Sequence, residues 1–321
     1  MIYAEFYSGQ GLGNQLWTYV SLRCIAEELS YDWKVLGENR FKGSDFIVLD
    51  GVDLKKCEES DLNFPPGYQP KGSDYYLEKR KYHPYYLCDV SGFDEDVLSI
   101  DDETKIDGYF QSENLIKKYK KEIQSWIKLK KILIPNVDYD NTLVLNIRGG
   151  EYKGNPTLLL RKKYWKDVIE YFRNQYEIYD YVVVTDDQDY AASIFGKDRV
   201  LNLNIEQCYS VLTNAKYLGL SNSSFAFFPV WLSDNATQVI APKYWARHNI
   251  SNGFWCRSDN IYERWNYMSK KGVVSTSYEC LDEYHNSEHE SGYIDKVDFN
   301  SALYKVRMKI ISILYRLGLG S

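Results

Sequence analysis

Six cysteines and four histidines in 321 residues leave little material for a metal centre or a disulfide frame. The cysteines (Cys24, Cys57, Cys88, Cys208, Cys256 and Cys280) are widely scattered, with no C-x-x-C and no metal-like pairing with the histidines. That pattern reads as reduced thiols of a cytosolic protein rather than a disulfide scaffold or a zinc site. Long apolar runs are missing as well, and none reaches the roughly 18 residues that a membrane span needs. The opening MIYAEFYSGQGLGNQ lacks a basic n-region and a continuous apolar stretch, so no secretory signal is expected. Nor is there an excess of positive charge. Lys and Arg number 39 against 45 Asp and Glu, which argues against a broad nucleic-acid-binding face.

What is present places the chain among soluble globular proteins: 44% apolar and 26% charged residues, at a length that suits two domains. Aromatics are plentiful, with 30 tyrosines and 8 tryptophans. Aromatic faces stack on sugar rings and bases, which points to a carbohydrate protein; an AT-rich genome would enrich tyrosine equally.

Residues 2–7 read as a short β-strand that runs straight into Gly9-Gln10-Gly11-Leu12-Gly13-Asn14, and a buried helix is expected from there to about Leu29. Strand, glycine loop and helix open an α/β domain. Between residues 39 and 105 only turns stand out, and a helix is expected over residues 113–129. After Pro135 the texture changes. Leu143-Val144-Leu145-Asn146-Ile147 is the near-continuous apolar run of a parallel strand buried on both faces. An amphipathic helix over residues 164–176 and a second apolar run, Tyr181-Val182-Val183-Val184, continue the alternation to Val239-Ile240-Ala241-Pro242. Repeated β-α units imply a doubly wound parallel sheet. The expected organisation is an N-terminal domain over residues 1–136 and a second over 137–258. Residues 259–321 would form an acidic linker (278–295) and a C-terminal helix.

Open α/β sheets bind ligands outside the carboxyl ends of their strands. Three such ends carry candidate chemistry. Gly9, Gly11 and Gly13 leave backbone amides unshielded, although the loop meets only half of a dinucleotide fingerprint. Arg148, between a buried strand and Gly149-Gly150, presents a permanently charged fork that matches phosphate oxygens; a structural ion pair with Glu151 is the alternative. Ser221-Asn222-Ser223-Ser224-Phe225 supplies hydroxyls and free amides that hold a phosphate or simply cap a helix.

Taken in order, G-x-G-L-G-N-Q-L (from Gly9), L-D-G-Y-W-Q-S-E (here Ile106 to Glu113), I-R-x-G-D/E-Y (Ile147 to Tyr152), T-D-D (Thr185 to Asp187), N-S-S-F (Asn222 to Phe225) and I-A-P-K-x-W (Ile240 to Trp245) resemble the α-1,2-fucosyltransferases of glycosyltransferase family 11. The resemblance covers residues 1 to about 255. It implies a GT-B fold, two Rossmann-like domains facing across a cleft, and an inverting transfer of fucose or a related 6-deoxyhexose from a GDP-sugar to a glycan hydroxyl, without metal or cofactor. Arg148 would grip the donor pyrophosphate. Asn222, Ser223, Ser224 and Phe225 would cradle phosphates and nucleoside, Asp186 or Asp187 would accept from ribose or guanine, and Gly11, Gly13 and Asn14 would approach from the opposite domain. Most family members read H-I-R-R-G-D-Y where this chain has Asn146-Ile147-Arg148-Gly149-Gly150-Glu151-Tyr152. Glu151 is either a general base or a partner that fixes Arg148. The identity of the sugar stays open.

Two other readings compete. Asp187-Gln188-Asp189 is a D-x-D that could hold a divalent cation, and the altered arginine loop would also suit a non-catalytic nucleotide-sugar-binding protein. Over residues 299–319 there are four basic residues, Lys305, Arg307, Lys309 and Arg316, and no acidic one, with Leu303, Val306, Ile310, Ile313, Leu314 and Leu317 sharing one helical face. Such a helix docks on an anionic membrane or on the protein's own core. The first case would place the protein at the inner face of the cytoplasmic membrane, beside a lipid-linked glycan of O-antigen or capsule synthesis.

Overall fold

The computed structural model describes residues 1–54, 74–83, 88–130, 135–251, 253–287 and 294–295. The chain divides into two compact units, residues 1–80 with 91–132, and residues 81–90 with 133–321.

The first unit contains β1 (Ile2–Glu5), α1 (Leu12–Leu29), β2 (Trp33–Leu36), β3 (Ile47–Leu49) and β4 (Tyr75–Leu77). After β5 (Lys81–His83) and β6 (Cys88–Val90), which belong to the second unit, it resumes with β7 (Lys105–Asp107), α2 (Glu113–Ile116), α3 (Lys120–Trp126) and β8 (Ile127–Leu129). Its main sheet is parallel throughout, in the order β2-β1-β7-β4. Apart from Asn14, every residue of α1 from Leu12 to Ala26 is buried, as a helix without a polar face must be. Ser30 ends it in the left-handed region (φ 55°), donating its N–H to the carbonyls of Ala26 and Glu27.

The single helix expected over residues 113–129 is instead two short helices separated by a 3-10 turn at Lys117–Tyr119. Its last three residues leave the helix to form β8, paired antiparallel with β3. A strand partner here outweighs the helical propensity of the local sequence, which is worth only a few tenths of a kcal/mol per residue.

The second unit is built on β9 (Thr142–Ile147), α4 (Lys162–Tyr176), β10 (Asp180–Thr185), α5 (Gln188–Phe195), α6 (Ile205–Asn214), β11 (Tyr217–Leu220), α7 (Phe227–Trp231), β12 (Gln238–Pro242), β13 (Asn266–Met268), β14 (Val274–Thr276), α8 (Ser277–Ser287) and β15 (Ile294–Asp295). Its six-stranded sheet has the order β10-β9-β11-β12-β13-β14, parallel except for β14 at the edge. All six residues of β9 are buried, because both of its edges are paired and helices cover its faces. Trp165, Val168 and Phe172 of α4 pack with Leu143 and Leu145 of β9 in one core. Gly219 of β11 permits this approach, since a Cβ there would lie 2.7 Å from both Leu145 Cδ2 and Val168 Cγ1.

The stretch expected as an acidic linker begins as α8. Thr276 and Glu279 form a reciprocal cap: the Glu279 N–H donates to Thr276 Oγ1 (3.2 Å) and the Thr276 N–H to Glu279 Oε2 (2.7 Å). Ser277 and Cys280 anchor the helix by burial. The basic amphipathic segment at residues 299–319 lies outside the described residues. Among the described residues no helix is long and apolar enough to cross a membrane.

Candidate functional site

In the second unit the chain leaves β9 for β10 on one side and later returns to β11 on the other. Crevices at the carboxyl ends of such strands are the usual ligand sites of open α/β sheets. A cavity of about 210 Å³ lies there. Its apolar lining comes from Ile147, Val184, Leu203, Ile205, Cys208 and Phe225, and its polar lining from Asn146, Arg148, Thr185, Asp186, Gln188, Asn204 and Ser223. Asn204 caps α6 in a capping box with Gln207, which fixes the wall on that side. Burial pushes the Cys208 thiol up to about 11, so it lines the cavity as a neutral group rather than a nucleophile.

Arg148 stands at the end of β9 with two carboxylates on its fork. One terminal nitrogen lies 2.7 Å from Asp186 Oδ2 and the other donates to Glu151 Oε1 at 2.9 Å. Asp186 also accepts the Gly149 N–H at 2.8 Å, so carboxylate, loop and guanidinium orient one another. The two ion pairs differ in exposure. The Asp186 side chain is 28% exposed, that of Glu151 73%, which makes the Glu151 pair the more solvent-screened of the two. The glycines on either side of this contact are steric requirements. A Cβ at Gly149 would come within 2.6 Å of Asp187 Cβ, and one at Gly150 within 2.3 Å of Asp186 Oδ2. The second arginine of the family pattern has no room at position 149.

Asp187 is committed elsewhere. It caps α5 by accepting the Tyr190 N–H (3.1 Å) and pairs with Lys153, whose ammonium holds the carboxyl below its usual range. Asp189 is exposed on α5. No group of three possible metal ligands occurs among the described residues.

Of the Asn222–Phe225 segment, Ser223 and Phe225 reach the cavity. Ser223 Oγ accepts the Phe225 N–H at 3.4 Å and caps the short turn Ser224–Ala226. Asn222 is buried, its amide donating to the Leu158 carbonyl at 3.0 Å, while its Oδ1 has no partner among the described residues. The Tyr152 hydroxyl donates to the Asn222 carbonyl at 3.5 Å, tying the arginine loop to this segment. Arg148, Asp186, Ser223 and Phe225 therefore meet at one cavity, with Glu151, Asp187, Asn222 and Ser224 outside its lining. The α6 wall (Leu203, Asn204, Ile205, Cys208) carries no motif, and only the fold brings it to the site. The Lys243–Trp245 motif is structural: Lys243 pairs with Glu283, and Trp245, 5% exposed, packs edge-on against Tyr262.

In the first unit, Gly11, Gly13 and Asn14 occupy the loop and first turn of α1 after β1. Asn14 Oδ1 accepts the Gln111 amide at 3.1 Å, which joins this loop to the one following β7. β1 and β7 are neighbours whose outer partners lie on opposite sides, so both motif loops sit at the equivalent position of that sheet. Beneath them Lys105, fully buried, donates to Glu5 at 2.6 Å, and Arg40 donates to the same carboxylate at 2.9 Å.

Among curated proteins the chain is similar to the alpha-1,2-colitosyltransferase of Escherichia coli, with 25% identity over 189 residues. The aligned region is 51% of this chain and 62% of that protein, so the match spans less than two thirds of the relative's length. No family model and no solved structure matches the chain.

Proposed function

We propose that the protein is a glycosyltransferase that moves fucose or a related 6-deoxyhexose from a GDP-sugar to a glycan hydroxyl. The observation that carries this reading is Arg148 at the mouth of the β9/β11 cavity, in a chain similar to an alpha-1,2-colitosyltransferase. Colitose, like fucose, lacks the 6-hydroxyl, which supports a 6-deoxyhexose and an α-1,2 linkage. A cavity of roughly 150 Å³ accepts a benzene ring; about 210 Å³, with Phe225 and aliphatic side chains in its lining, suits a nucleobase. Asp186 and Ser223 then stand where ribose, guanine or phosphate hydrogen bonds are needed.

In the reaction the acceptor hydroxyl oxygen attacks the anomeric carbon and releases its proton to water, the bond from that carbon to the β-phosphate oxygen breaks, and its electron pair stays on the diphosphate. Configuration inverts. Arg148 meets the charge that builds there, and so favours the transition state over the bound ground state. No step calls on a metal ion, and the commitment of Asp187 to its helix cap and Lys153 speaks against a D-x-D site. Glu151 sits on the Arg148 fork at 2.9 Å, and this pairing favours a role in aiming Arg148. A GT-B type fold is part of the reading and rests on one parallel sheet in each unit.

Calorimetry with free GDP and UDP tests the donor class. GDP is expected to bind the more tightly, and equal affinities would remove the GDP-sugar assignment.

A further inference from the structure

In the first unit a carboxylate lies buried within a stretch where only turns stand out from the sequence. Glu78 directly follows β4, and its side chain is fully buried. A charge removed from water is costly unless donors surround it, and here each oxygen has two. Oε1 accepts the Gly92 N–H at 3.1 Å and the Ser91 hydroxyl. Oε2 accepts the Tyr109 N–H at 3.0 Å and the Arg80 Nε–H at 3.1 Å. Three segments, following β4, β6 and β7, are thereby held at one group.

The segment after β7 is strained. Phe110 stands in the left-handed region (φ 47°), which a bulky residue adopts only when its surroundings hold it there. Besides the Tyr109 N–H on Glu78, the Gln111 N–H donates to Ser91 Oγ at 3.0 Å, and the Ser21 hydroxyl of α1 donates to the Tyr109 carbonyl at 3.1 Å. The Tyr76 ring stacks on Phe110 at 6.4 Å. Gly108 lets Glu78 come this close, since a Cβ there would lie 2.4 Å from Glu78 Cβ.

The two neighbours of Phe110 both reach Asn14. Gln111 Nε2 donates to Asn14 Oδ1 at 3.1 Å, and the Tyr109 hydroxyl is hydrogen-bonded to the same side chain. Asn14 is also the one residue between Leu12 and Ala26 of α1 that is only half-buried. A connected set of contacts therefore runs from Glu78, through a strained turn, to the polar side chain at the glycine loop. Strain of this kind costs about 1–3 kcal/mol and is retained where the pose of a group matters.

We propose that Glu78 is a positioning residue, which through Tyr109 and Ser91 sets the pose of the Asn14 side chain for sugar transfer. The step rests on the transferase reading, with Asn14 at the substrate. Glu78, fully buried, acts only through the turn.

A double-mutant cycle on the full chain tests this, read as GDP release from GDP-fucose with an oligosaccharide mixture as acceptor. Glutamine has the size of glutamate, but its amide sets N–H against donors on one side or the other, so part of the turn is released. Glu78→Gln should lower kcat by roughly tenfold while GDP affinity stays within about twofold. Asn14→Ala should lower kcat by at least as much. Adding Glu78→Gln to Asn14→Ala should then change kcat by less than about twofold, because the contact through which Glu78 acts is already lost. Losses that multiply would mark Glu78 as merely structural and overturn the proposal. Near-parental kcat of Asn14→Ala in an active parent would overturn it as well. If Glu78→Gln does not fold, Ser91→Ala, which removes the acceptor of the Gln111 N–H, takes its place in the cycle with the same expectations. A parent that releases no GDP contradicts the transferase reading itself, and the role of Glu78 falls with it.

Discussion

Arg148 directs its fork at two carboxylates of unequal exposure, and the loop that aims it has no tolerance for a side chain at its first glycine. A Cβ at Gly149 meets Asp187 at its own Cβ, an atom that cannot swing aside, so the loop itself must shift. The shift would pull the Gly149 N–H off Asp186 and misdirect the guanidinium. Gly149→Ala is therefore expected to weaken GDP binding by roughly tenfold, the size of one charge-assisted hydrogen bond. Gly154→Ala provides the comparison, because a Cβ there meets nothing within 4 Å, and it should bind GDP as the parent does. Equal affinities of the two variants would show that the loop geometry is immaterial to nucleotide binding.

Among the elements, β11 and α4 depend on each other through Gly219. Added bulk in a filled core typically costs about 1–3 kcal/mol. Gly219→Ala should lower unfolding stability by that amount, read as a fall in the urea midpoint; an unchanged midpoint would mean that α4 is not pressed against the sheet. The elements that were legible in the sequence are those with a continuous apolar run or a clear amphipathic period. β1, α1, β9, α4 and β10 follow from apolar runs or a helical apolar period. β8 was not, because Ile127-Lys128-Leu129 continues a helical pattern and becomes a strand only through its partner β3. α8 was legible but overshadowed: Thr276-Ser277-Tyr278-Glu279 is a capping-box sequence, and the acidic residues that come after it masked the signal.

For the molecule as a whole, each unit carries a parallel sheet whose strand order reverses beside a motif loop. Arg148, Asp186, Ser223 and Phe225 could be nominated from the sequence because strand ends, glycines and capping residues mark such positions. The wall from Leu203 to Cys208 could not, since it carries no motif and only the placement of α6 brings it to the site. Everything proposed for the reaction depends on Arg148 as the group that receives the diphosphate charge. The most direct measurement is the turnover of Arg148→Lys with a GDP-6-deoxyhexose and a glycan acceptor, alongside its thermal midpoint. Lysine keeps the charge but loses the planar fork, so kcat should fall by about 100-fold or more with the midpoint nearly unchanged. Near-parental turnover in a folded Arg148→Lys protein would contradict that role.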